Sequence, residues 1–143
     1  MKRKLIADVR AFNRFYTPVI GLLDQHILES NYSLPEVRIL YELYHSDNLM
    51  ANDIIASLQI DKGYLSRILQ QFQKKKLVSK KWSVKDGRAA HLSLTEKGRK
   101  EFEVLNESSD RQIRRMLEML TEEECNRLVN NMMDIQTILS KTK

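Results

Sequence analysis

Apolar residues recur at Leu5, Val9, Phe12, Tyr16, Val19, Ile20, Leu23 and Ile27, in steps of three and four that place them on one face of a helix. The spacing predicts a long amphipathic helix from Leu5 to Leu28, bent or split near Thr17 because Pro18 has no N–H to give the preceding turn. After the loop ESNY, Ser33-Leu34-Pro35-Glu36 has the form of a capping box with proline in the first helical turn. The second helix should bury Val37, Leu40, Tyr41 and Tyr44 and end near His45 to Asn48. A short third helix is expected from Ala51 to Leu58, with Ile54, Ile55 and Leu58 inward. Asp61 is placed to cap a fourth helix from Lys62 to about Lys76.

After Leu77 the period changes from 3.6 to two. Val78, Trp82 and Val84 lie on one side of a strand, and Ala90, Leu92 and Leu94 on one side of a second. Thr95 then caps a fifth, long helix carrying Phe102, Leu105, Ile113, Met116, Leu117 and Leu120. Thr121 to Glu124 is a second capping box, opening a sixth helix with Leu128, Met132, Ile135 and Leu139. The pattern describes one mainly α domain, laid out as a long helix, a helix, a short helix–turn–helix, a two-stranded ribbon, a long helix and a last helix.

A short helix, a tight turn and a second helix can enter a DNA groove if the second helix has an outward polar, basic face. With Leu65 at zero and 100° per residue, Ile68, Leu69 and Phe72 fall within about 60° of it. Gly63, Arg67, Gln70 and Lys74 gather opposite, with Ser66 and Gln71 at the margins. Arg67 suits a guanine edge or a phosphate, and Gln70 and Gln71 suit adenine. Lys62 and Ser66 sit near the helix start, where backbone N–H groups favour a phosphate, and Gly63 would let a nucleic-acid backbone come close. No carboxylate follows Asp61 on this face.

Charge sharpens the picture. Residues 61–100 hold 12 Lys and Arg against 3 Asp and Glu, a net of +9, while the rest of the chain holds 12 against 16, a net of −4. A basic block of this kind is the footprint of a polyanion-binding surface. No apolar run reaches the roughly 18 residues of a membrane span, and Asp8 and Arg10 interrupt the basic start, so a cytoplasmic protein without a membrane role is expected. One cysteine, Cys125, excludes an internal disulfide and a cysteine-based zinc cluster, and reads as a small packed residue. His26, His45 and His91 have no metal-ligand spacing, and no nucleophile–base set or phosphate loop points to an enzyme or a cofactor.

The succession Asp61-Lys62-Gly63-Tyr64-Leu65-Ser66-Arg67-Ile68, Lys75-Lys76-Leu77-Val78, Asp86-Gly87-Arg88 and Leu92-Ser93-Leu94-Thr95-Glu96-Lys97-Gly98 resembles the MarR family of winged helix–turn–helix transcription regulators. The resemblance covers nearly the whole chain. It implies a single mainly α domain over 1–143 in which the ribbon is a small β-wing. Residues 33–98 would form a winged helix–turn–helix DNA-binding lobe, flanked by long terminal dimerisation helices at 1–30 and 100–143. It also implies a homodimer on a pseudo-palindromic operator in double-stranded DNA, usually as a repressor, released in many members by a small, often phenolic, anion. Ser66 and Arg67 match positions that meet DNA, Arg88 matches the wing arginine of the minor groove, and Asp86 the acid that steadies it. Tyr64 and Lys85, beside these residues, complete the candidate DNA-contacting set. Two positions depart from the pattern: Lys76 stands where a glycine commonly ends the recognition helix, and Gly87 where a second basic wing residue is common.

The terminal helices are more apolar than so small a lobe requires, which also argues for a second copy. Arg14, Tyr16, His26, Tyr41 and Tyr44 are candidates to line a cleft for a small aromatic anion, although aromatic residues at helical spacing are commonly core. A winged-helix module for RNA, a protein partner, or DNA without sequence preference is the alternative function. In the wing itself, Asp86-Gly87 invites a two-residue turn. That turn would put Ala90, Leu92 and Leu94 on the face opposite Trp82 and Val84. An odd-length loop, such as the five residues Lys85 to Ala89, pairs Trp82 with Ala90 or Leu92 and leaves Arg88 free to project.

Overall fold

A computed structural model describes residues 1–27, 31–83, 85, 87 and 89–142, and for 20–27 the backbone alone. Six helices and a two-stranded antiparallel sheet follow one another: α1 (Lys2–Ile27), α2 (Leu34–His45), α3 (Ala51–Leu58), α4 (Lys62–Lys74), β1 (Val78–Trp82), β2 (Ala90–Leu94), α5 (Glu96–Glu118) and α6 (Glu122–Ser140).

The α1 helix runs unbroken through Pro18, so of the bend or split expected near Thr17 the split does not occur. One proline removes one i→i−4 bond, and a helix with several turns on either side can span the gap. In the turn before it, the Thr17 hydroxyl donates to the Asn13 carbonyl at 2.7 Å. The expected apolar positions Ile20, Leu23 and Ile27 lie outside the described side chains, and the expected helix end at Leu28 outside the described residues.

Capping sets most helix starts. Ser33 Oγ accepts the Glu36 N–H at 3.4 Å and the Glu36 carboxylate accepts the Ser33 N–H at 3.3 Å. Thr121 and Glu124 repeat this reciprocal pair at the start of α6, at 2.9 and 3.2 Å. At α3 the Asp53 carboxylate accepts the Met50 N–H at 2.9 Å.

Among the described residues, the fully buried core falls between Ile39 and Leu105, with Tyr32 and Val37 packed against it. It takes Ile39, Leu40 and Leu43 from α2, Ile54 from α3, Leu65, Ile68, Leu69 and Phe72 from α4, Leu77 just before β1 and Val78 at its start, Leu92 and Leu94 from β2, and Phe102 and Leu105 from α5. The buried arc of α2 is rotated from the one expected. Leu40 is buried and Val37 and Tyr44 are half-buried, but Tyr41 is exposed, and Ile39 and Leu43 are fully enclosed instead. The cause is that α2 packs against α3, β2 and α5 together, so its buried sector is centred between Ile39 and Leu40.

The ladder pairs Val78 with Leu94, Lys80 with Leu92 and Trp82 with Ala90, so every apolar residue of the sheet shares one face. Leu49 adds an isolated bridge to Leu92, its carbonyl accepting the Leu92 N–H at 2.7 Å, and ties the α2–α3 connection to the sheet. In contrast to the lobe, α6 buries none of its residues, and Leu5, Ile6, Val9, Phe12 and Phe15 of α1 are exposed. None of the described helices is long and apolar enough to cross a membrane.

Candidate nucleic-acid interface

The recognition-type helix α4 begins where Asp61, in extended backbone, accepts the Tyr64 N–H on its carboxylate at 3.0 Å. The Cα of Gly63 lies beside this cap, since a Cβ there would stand 3.2 Å from the Asp61 carboxylate oxygen. Leu65, Ile68, Leu69 and Phe72 point into the core, and that fixes the opposite face to solvent. Lys62, Gly63, Tyr64, Ser66, Arg67, Gln70, Gln71 and Lys74 are all exposed. Arg67 lies over the Tyr64 ring, 5.9 Å from its centroid, one helical turn away.

The end of α4 is closed without glycine. Lys76 takes the left-handed conformation at φ 59°. The Leu77 N–H reaches the Phe72 carbonyl at 2.9 Å and the Lys76 N–H the Gln73 carbonyl at 3.0 Å, the paired bonds of a Schellman cap. Leu77 and Phe72 are both buried, as the hydrophobic partner pair of that cap requires.

The carbonyls of the next residues, Lys75 to Leu77, receive α5. Thr95 Oγ1 accepts the Gly98 N–H at 3.0 Å to cap α5 and approaches the Lys76 and Leu77 carbonyl oxygens at 2.6 and 3.2 Å. The Thr95 N–H donates to the Leu77 carbonyl at 2.9 Å, and Lys97 Nζ to the Lys75 carbonyl at 3.0 Å. Gly98 is buried, with no room for a Cβ against Leu77. The run Leu94-Thr95-Glu96-Lys97-Gly98 thus works as a clasp between α4 and α5.

On the wing, the Ser83 N–H donates to the Ala89 carbonyl at 2.8 Å, which continues the Trp82–Ala90 register and closes a loop of residues 84–88. The loop is odd-length as expected, one residue earlier than the Lys85–Ala89 frame. Lys85 is exposed, and its N–H reaches Ser83 Oγ at 3.3 Å. Gly87 is exposed, its φ is not positive, and a Cβ there would meet nothing within 4 Å, so neither space nor conformation demands glycine. Val84, Asp86 and Arg88 lie outside the described residues. At the base of the wing His91 Nδ1 lies 3.1 Å from the Asn48 carbonyl oxygen, and Lys80 Nζ sits 5.2 Å from the Trp82 ring centroid.

The ligand candidates fall in two places. Tyr41 and Tyr44 meet Phe102 at ring distances of 6.1 and 4.6 Å, with His45 beside both. The Tyr44 hydroxyl donates to Glu103 at 3.1 Å, a bond that raises its pKa above the ordinary tyrosine value, and Arg99 lies 5.4 Å over its ring. Arg99 is also paired with Asp47 at 3.3 Å. On α1, Tyr16 stacks on Phe12 at 5.4 Å and Arg14 is exposed. Among the described residues no hydrogen bond, ion pair or ring contact joins Arg14 or Tyr16 to the Tyr41–Tyr44 cluster, and the His26 side chain lies outside those described.

One strut had no sequence signal. The Tyr32 hydroxyl donates to Glu101, its ring meets Phe72 edge-on at 6.3 Å, and Lys75 Nζ lies 5.0 Å above it. Burial and the Glu101 carboxylate raise the Tyr32 pKa far above its ordinary value. Cys125 is half-buried with Sγ 3.6 Å from the Leu117 carbonyl oxygen. No group of three His, Cys, Asp or Glu among the described residues could hold a metal ion.

Residues 24–105 match the family model for the SarA/Rot transcriptional regulators. The HTH-type transcriptional regulator YdgJ of Bacillus subtilis is 29% identical over 98 residues, which are 68% of this chain and 60% of that protein. The chain therefore matches less than two thirds of this relative's length. The S. aureus MepR–DNA complex superposes with a TM-score of 0.76 at 24% identity, over 90% of this chain and 98% of that one. Streptococcus pneumoniae FabT in complex with DNA gives 0.82 at 17% identity, over 94% and 99%. At such identities the common property is the fold, the winged helix of MarR-type regulators.

Proposed function

Because the chain belongs to the SarA/Rot family of transcriptional regulators, we propose that it is a homodimer that binds a pseudo-palindromic operator in double-stranded DNA and acts as a repressor. The observation that carries this function is the outer face of α4. Its eight candidate contact residues are all exposed, it bears no carboxylate beyond the Asp61 cap, and it stands in a segment of net charge +9. Hydrogen-bonding side chains for base edges, set among cations for phosphates, are what sequence-selective major-groove recognition needs. Arg88, with Asp86 beside it in sequence, extends the contact from the wing.

The second copy is supported by α6. A helix of 19 residues with none buried, yet carrying Val129, Met132, Met133, Ile135, Ile138 and Leu139, leaves an apolar face that a monomer holds against water. Residues 1–30 and 100–143 supply this face, and 33–98 the DNA lobe. Two-fold pairing sets two α4 helices for successive turns of one DNA face. Relief of repression by a small aromatic anion is supported only by the Tyr41–Tyr44–Phe102 cluster beneath the lobe, with Arg99 above it.

Footprinting on a DNA fragment retained by the protein tests the proposal. Two protected half-sites about 10 base pairs apart, related by inverted symmetry, are expected. Protection without symmetry, or RNA and unrelated DNA competing equally with the fragment, contradicts it and favours a non-selective nucleic-acid module.

A further inference from the structure

At the far end of β1 an indole is left uncovered. Trp82 lies on the apolar face of the sheet, but its cross-strand partner is Ala90, too small to shield it, and it remains 59% exposed. Lys80, two residues back on the same face, holds its ammonium 5.2 Å from the ring centroid and has no ion pair among the described residues. Between them and the start of α3 opens a cleft of about 250 Å³, floored by Met50, Leu69 and Ala90 and edged by Asn52. Leu69 brings α4 itself to the cleft wall, so the cleft lies between the helix whose outer face is read above as the major-groove surface and the wing stem. On its other side, chain length keeps Trp82 within roughly 11 Å of the exposed Lys85.

We propose that this cleft is a further DNA-backbone contact, in which Lys80 meets a phosphate and the Trp82 indole packs on the adjoining deoxyribose. The inference rests on the DNA-binding function proposed above. A strand crossing from the α4 groove to the wing tip passes the wing stem, and a sugar–phosphate unit offers what the cleft complements, an anion beside an apolar ring. The cation–π arrangement orients the ammonium without neutralising it. Charge complementarity favours DNA over a protein partner, because Lys80 and Trp82 belong to the segment 61–100 of net charge +9.

Trp82 is the only tryptophan in the chain, so tryptophan emission, excited at the red edge where the tyrosines do not absorb, reports this site alone. Acrylamide quenching is measured on the full chain, free and saturated with a retained DNA fragment, while anisotropy of the labelled DNA verifies binding independently. Saturation should lower the quenching constant. Lys80→Gln should weaken binding several-fold and reduce the slope of log affinity against log salt by about 0.9, the value for one lost phosphate contact. Its urea midpoint should equal that of the parent chain, because Lys80 is exposed. An unchanged quenching constant with DNA bound, or an unchanged slope in Lys80→Gln, overturns the inference. If no fragment changes the anisotropy, the DNA-binding function fails first and this contact with it.

Discussion

A Cβ placed on Gly98 would overlap the carbonyl oxygen of Leu77, so the backbones just beyond α4 and at the start of α5 touch directly. Gly98→Ala must push the two helices apart and should destabilise the fold by roughly 2–3 kcal/mol. Gly87→Ala, at a wing position with open space and no positive φ, should change stability by less than about 0.5 kcal/mol. Urea unfolding of both variants decides the matter, and equal effects would remove Gly98 from the clasp.

Lys76 holds a left-handed conformation that a side chain makes unfavourable. Lys76→Gly should therefore raise the unfolding free energy by about 1 kcal/mol, less the added freedom of the unfolded chain. Lys76→Val should lower it. A loss of stability with glycine would mean that the Lys76 side chain contributes more than its backbone strain removes.

Arg67→Ala should cost about 1–3 kcal/mol in affinity for a selected DNA fragment and narrow its margin over random DNA. Arg88→Ala should instead lower the salt slope by about one, if this residue neutralises a phosphate. Fluorescence anisotropy across a salt series separates the two effects.

Ile135→Glu places a charge on the exposed apolar face of α6 while leaving the lobe core, which ends at Leu105, untouched. Sedimentation velocity should show a dimer for the parent chain and a monomer for the variant, with near-equal helix content by circular dichroism. A variant that remains dimeric would place the subunit contact elsewhere.

The Glu124 carboxylate accepts the Thr121 N–H, and this bond chiefly holds its pKa below the ordinary glutamate value. A lowered folded-state pKa gives stability that is complete above the unfolded value and lost as pH falls through the folded one. The stability difference between the parent and Glu124→Gln should therefore shrink on acidification below the ordinary glutamate range. A pH series of urea midpoints checks this, and a difference that grows toward acid contradicts it.

Local signals in the sequence were strong for the helix caps and for both faces of α4, because Ser33, Asp61, Thr95 and Thr121 act within a few residues of themselves. The period of α2 points Tyr41 inward, yet it is exposed, since burial there depends on three packed neighbours that no local period encodes. The Tyr32–Glu101 strut joins residues 69 apart in sequence, and the Leu49 bridge needs the finished sheet, so neither left a trace in the spacing. In the wing, alternation identified the paired face correctly, but the loop frame was settled only by the Ser83–Ala89 bond. The uncovered Trp82 became apparent only when the register set it opposite Ala90.

Selection of genomic DNA fragments by the purified chain, with and without excess non-specific competitor, tests the central claim most directly. The account predicts a small set of fragments that withstand the competitor and share an inverted repeat with half-sites about one helical turn apart. Fragments that vanish with competitor, or that share no repeat, would contradict a sequence-specific dimeric regulator.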